Sequence, residues 1–143
     1  MMTLQEEKEL LLRVVTRLAA KLIGEGGFVP FGATLGPGRN VKLLMPTGWK
    51  ENATRDELEA YWSRELKKAT TEAECNTVCS CADVRVPIGG GAFAPGIFIH
   101  LEQVGSPAED IVYPYLKDGI SEAKLGTPTS VETDSRVFAA SQT

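Results

Sequence analysis

The sequence is short of the residue types from which most recognisable catalytic and metal centres are built. It holds one histidine, His100, and three cysteines, Cys75, Cys79 and Cys81, in 143 residues. A structural zinc site takes four nitrogen or sulfur ligands, commonly supplied by C-x2-C knuckles, and that spacing is absent. Cys79 and Cys81 are also too close along one strand to bridge each other, so the odd, clustered set is no disulfide framework. Reduced thiols, a cytoplasmic setting, no metal and no cofactor are therefore expected. No serine stands in a G-x-S-x-G context. A basic excess is missing too: the net charge is −4 and the lysines and arginines are scattered. Nucleic-acid binding needs a basic patch to neutralise phosphate, so no nucleic-acid partner is expected. The most apolar stretch, Gly89 to Leu101, is too short and too glycine-rich to span a bilayer, which argues against a membrane partner. Met1 to Glu9 carries Glu6, Glu7 and Glu9 where a secretory leader would be basic and then apolar, so no leader is expected.

What is present reads as an ordinary globular domain, with 43% hydrophobic and 24% charged residues. Thr3 and Glu6 have capping-box spacing, and Leu4, Leu11, Val15, Leu18 and Leu22 follow with helical period as far as Gly24. Phe28–Leu35 and Val41–Met45 flank the turn residues Gly36-Pro37-Gly38-Arg39-Asn40 and read as a hairpin. Thr54 and Glu57 open a second helix, which ends near Glu74 and buries Leu58, Tyr61, Trp62, Leu66 and Ala69. Val78, Ser80, Ala82, Val84 and Val86 then alternate with Cys79, Cys81, Asp83 and Arg85, a strand with one apolar face. Pro87 to Gly96 reads as a glycine-rich connection. It lacks the lysine and the following helix of a phosphate-binding loop. Further strands are expected at Ile97–Leu101 and Asp110–Leu116, and a last one at Ile120–Gly126. The fold class is α+β, in the order α-β-β-α-β-β-β, with an antiparallel meander and two helices packed on one face. Residues 1–126 form the expected single domain. Residues 127–143 read as a poorly patterned C-terminal tail from which Val137 and Phe138 dock back.

Phe28-Val29-Pro30-Phe31-Gly32-Ala33, set after a helix, resembles the signature of a family of small uncharacterised bacterial α+β proteins. His100-Leu101-Glu102 and Tyr113-Pro114-Tyr115 are similar to later strands of that family. The similarity runs from the first helix to about Gly126. It implies a bacterial origin and a fold type; it implies no reaction and no catalytic residue.

Three functional readings compete. Alternation places Arg85, His100 and Glu102 opposite the apolar residues of their own strands. With Tyr113 and Tyr115 they would form one mixed aromatic and charged patch on the open sheet face. That patch points to a non-enzymatic module of the immunity or accessory kind that binds a protein partner or a second copy of itself. The bland counterpart is a solvated sheet face with cross-strand charge pairs. The second reading is a small-molecule binder with a pocket between helices and sheet near Trp49, Trp62 and Phe93. The third is a hydrolytic enzyme using His100 with Glu102 or a cysteine, and a Cys–Cys–His cluster is open to the same histidine if its strand adjoins Cys79 and Cys81.

Overall fold

The computed structural model describes residues 2–46, 54–72, 74–117 and 122–138. Helix α1 spans Leu4–Gly24. Thr3 caps it: its hydroxyl accepts from the Glu6 amide at 3.1 Å, and the Glu6 carboxylate accepts from the Thr3 amide at 3.0 Å. The same reciprocal pair, Thr54 with Glu57, opens helix α2 at Arg55–Glu72. Both capping boxes are therefore formed, and each satisfies donors the helix itself cannot.

Strands β1 (Phe31–Gly36) and β2 (Asn40–Leu44) form a hairpin before α2. Strands β3 (Thr77–Gly89), β4 (Ala92–Gln103), β5 (Ala108–Leu116), β6 (Lys124–Leu125) and β7 (Thr129–Thr133) follow it. Every pairing is antiparallel, and the sheet order is β2-β1-β3-β4-β5-β6, with β7 also on β5. The α+β class and the antiparallel meander are as the sequence indicates. No helix among the described residues is long and apolar enough to cross a membrane.

The helices, however, lie on opposite faces of the sheet rather than together on one. Leu11, Val15, Ala19 and Ile23 of α1 pack with Phe31, Ala33, Cys79, Cys81, Ile99 and Leu101 in the larger core. Trp62 and Leu66 of α2 pack with Val78, Cys75 and Val137 in a second one. Val78 and Cys79 are neighbours on one strand and so point to opposite faces. Both are essentially inaccessible, so the start of β3 is covered on each side. Gly32 shows how closely α2 approaches: a Cβ there would lie 2.8 Å from the Trp62 ring. A glycine inside a strand is where a neighbouring element comes near the backbone.

Two segments are more regular than expected. β3 runs on to Gly89 and β4 begins at Ala92, so the glycine-rich connection is a tight turn. Gly90 and Gly91 both take positive φ (60° and 78°), which a two-residue type I′ hairpin turn requires at both central positions. The supposed tail carries β7, paired with β5 from Ala108 to Val112, and Val137 is buried in the second core. The sheet therefore continues past residue 126. The last expected strand survives as β6 alone; residues 118–121 lie outside the described residues, as do 47–53 with Trp49.

Candidate functional site

The site is laid out in rows across the α2 face of the sheet. Register sets Gly32 opposite Ser80, Ser80 opposite His100, and His100 opposite Asp110. Three polar side chains thus line up across β3, β4 and β5. The next row is Ala82, Phe98 and Val112, and beyond it stand Val84 and then Val86. On the other side of the polar row Val78 faces Glu102.

His100 sits between two carboxylates. Its Nδ1 is 2.7 Å from Asp110 Oδ1 and its Nε2 is 2.7 Å from Glu102 Oε2. Burial favours the neutral ring, but the hydrogen bonds to Glu102 and Asp110 outweigh it and raise the His100 pKa above its ordinary value. Burial also opposes the Glu102 carboxylate. The bond from His100 and those from the Arg136 and Val137 amides outweigh it, and the Glu102 pKa is lowered. These directions describe an imidazolium donating both N–H groups. Such a ring has no lone pair left to accept a proton from a nucleophile.

Glu102 also holds the chain end of the described structure. The backbone amide of Arg136 donates to its Oε2 at 2.9 Å, and those of Val137 and Phe138 donate to its Oε1 at 2.9 and 3.3 Å. Residues 134–138 become a strap laid over the sheet beside α2. Arg136 reaches across to α2, its Nη2 lying 3.6 Å from Glu59 Oε1.

Strap, helix and sheet enclose a pocket of about 570 Å³. Ala82, Val84, Phe98 and Val112 form its floor, Leu58 and Trp62 line it from α2, and His100, Asp110 and Arg136 bring the polar groups. The Trp62 indole N–H is buried and has no hydrogen-bond partner among the described residues.

No family model, curated protein or solved structure matches the chain.

The five residues expected to share one patch are divided between the two faces. His100 and Glu102 stand on the α2 face, 6% and 0% exposed. Arg85 lies in register with Pro95 in the same alternation as Cys79 and Cys81, on the α1 face. Tyr113 and Tyr115 share that face, as partners of Ile97 and neighbours of Ile111. Tyr115 is buried and its hydroxyl donates to Asp83 Oδ1 at 2.8 Å. Burial first, then that carboxylate, pushes its pKa up to about 12.

Tyr113 and Tyr115 are parted from His100 by the β4–β5 register, which sets Asp110 opposite His100 and Tyr113 opposite Ile97; for Arg85 the physical reason is a bulge. From the two-residue turn alone, Gly89 opposite Ala92 would set Cys81 opposite His100. The register shifts by one between Pro87 and Gly89, and Ser80 takes that place instead. A one-residue shift exchanges the faces of the whole strand. His100 is thereby separated from Cys79 and Cys81, and the Cys–Cys–His cluster does not assemble. Both thiols are free and buried. Burial pushes Cys79 up to about 12, and burial, Cys79 and Asp83 raise Cys81 well above the ordinary value.

Sequence reasoning missed Asp110, Ser80 and Arg136 as members of the site. A signal for the first existed: His100 and Asp110 are equidistant from Gly105, the centre of the β4–β5 turn. Nothing in the local pattern marks Arg136. Of the aromatic residues expected at a pocket, Trp62 lines it, whereas Phe93 stands 63% exposed at the β3–β4 hairpin.

Proposed function

We propose that this protein binds a small, mainly apolar molecule in the pocket between α2, the sheet and the strap. The observation that carries this reading is the pocket itself. Its volume of about 570 Å³ falls within the roughly 300–1,000 Å³ usual for ligand sites. Its apolar walls with a few convergent polar groups have the composition of such sites. Binding is favoured over hydrolysis because His100 has both ring nitrogens committed to carboxylates. The test is a melting screen with apolar ligands on the protein and on Ala82→Trp, which fills the floor. A ligand at a hundred times its Kd adds about 2.7 kcal/mol to the intact protein. Equal stabilisation of the filled variant would remove the pocket from the account.

A second reading, contact with another protein chain, is favoured by one observation. Ile88 and Phe93 are 65% and 63% exposed beside each other at the β3–β4 hairpin tip. Replacing both with Ser should abolish any self-association seen by light scattering. Persistence of the assembly would refute that reading.

A further inference from the structure

We propose that the occupant of this pocket is an uncharged, elongated apolar molecule with a hydroxyl head that donates to the Asp110 carboxylate. This rests on the pocket being a binding site, and it specifies the chemistry that the site selects.

The floor grades from polar to apolar in one direction. It starts at the Ser80–His100–Asp110 row, passes Ala82, Phe98 and Val112, and ends at Val84 and Val86. The six steps of strand from Ser80 to Val86 span roughly 20 Å. A molecule lying along that floor meets hydrogen-bonding groups at one end only.

At the polar end most capacity is already used. Both His100 nitrogens are engaged, and the two Glu102 oxygens accept from the ring and from three backbone amides. Asp110 is one exception, beside the Ser80 hydroxyl, which has no hydrogen-bond partner among the described residues. The Asp110 Oδ1 meets His100, while its Oδ2 has no partner among the described residues. An ionised carboxylate only accepts, so the head it selects must donate. A hydroxyl is the simplest uncharged group that donates.

Charge decides against ionised heads. The cationic partners at the site are His100, set between Asp110 and Glu102, and Arg136, set against Glu59. A carboxylate head would face Asp110 and Glu59. An ammonium head would face His100 and Arg136. Either would also give up its water shell for a site whose charges are already paired.

The experiment measures displacement of phenylnaphthylamine, an apolar dye that fluoresces when bound, from the full chain. The competitors are dodecanol, dodecanoate and dodecylamine, all below their aggregation concentrations. Dodecanol is expected to displace the dye at about tenfold lower concentration than either charged analogue. Asp110→Asn, checked for unchanged melting, is expected to narrow that gap. Displacement by dodecanoate or dodecylamine as effective as that by dodecanol overturns the head-group inference and leaves the pocket standing. Failure of the dye and all three competitors to bind overturns both. The comparison on the unaltered protein stands even if the variant fails to fold.

Discussion

Glu102→Gln changes one atom in the polar side chain that accepts the most hydrogen bonds among the described residues. Glu102 Oε1 accepts from the Val137 and Phe138 amides, and Oε2 from His100 and the Arg136 amide. A glutamine has one acceptor and one NH2 group. Whichever way it is turned, its NH2 group confronts two of those donors. Two buried donors without acceptors cost roughly 2–6 kcal/mol, and breaking a buried ion pair alone costs about 3–5 kcal/mol. We expect a loss of about 3–5 kcal/mol in denaturant titration at pH 6, with faster hydrogen exchange at the Arg136 and Val137 amides. A loss below about 1 kcal/mol with those amides still protected would refute the latch. The pH dependence carries a second expectation. The lowered Glu102 pKa gives stability that is present above the ordinary carboxylate value, about 4.3, and is lost as pH falls through the folded value below it. The raised His100 pKa gives stability present below about 6.5 and lost as pH rises through the folded value above it. The difference between the protein and the variant should therefore be largest between about pH 4.3 and 6.5 and shrink on both sides. A difference that is flat across the whole range would show that the two groups are not linked to folding.

Thr54→Ala should cost about 1 kcal/mol through loss of the α2 cap, read by denaturant titration, and no change would mean that the capping box contributes nothing. Tyr115→Phe should cost about 0.5–1.5 kcal/mol for the bond to Asp83, and an unchanged midpoint would show that bond to be replaced by water. Cys79 and Cys81 should resist thiol reagents at neutral pH until the protein unfolds, because both are buried and their thiolates are disfavoured. Labelling in the native state at the rate of an exposed cysteine would contradict their burial.

The helices and the central hairpins were legible because their signals are local. A threonine and a glutamate three residues apart fix a helix start within one turn of chain. α1 shows how far periodicity reaches. The stripe through Leu11, Val15, Leu18 and Leu22 names two of the most buried residues but leaves out Ala19 and Ile23, which lie deeper than Leu18. A 3.6-residue period with apolar residues at many positions defines a broad arc, and packing chooses the centre of it. β7 left no pattern because it is an edge strand, Thr-Ser-Val-Glu-Thr, whose one large apolar residue, Val131, is 63% exposed. Its place in the sheet comes from backbone pairing with β5, which side-chain alternation does not record.

Helix placement was illegible for a different reason. In β3 both alternating sets are compatible with burial, Val78 and Ala82 on one side and Cys79 and Cys81 on the other. Cysteine behaves as a small apolar residue when it packs. Alternation distinguishes two faces only when one of them is polar, and here it becomes polar only at Asp83 and Arg85, beyond the reach of β1. The sheet accordingly takes a helix on each face over its first half and leaves the hairpin beyond more exposed.

The pocket follows from that arrangement. α2 has to carry the chain from β2, on the edge, across β1 to β3. It seats Trp62 on Gly32 and reaches no further than the first rows of β3. Val84, Phe98 and Val112 therefore remain beside the helix without a helical lid, and the strap pinned by Glu102 bounds them together with Thr129 and Val131 of β7. The same bulge that removes His100 from the face of Arg85 delivers it, with Asp110, to the polar end of this space. Without the bulge, His100 and Asp110 would share the α1 face with Cys79 and Cys81, and of the polar row the α2 face would keep Ser80. One extra residue between Pro87 and Gly89 thus decides whether the apolar floor ends in His100 and Asp110.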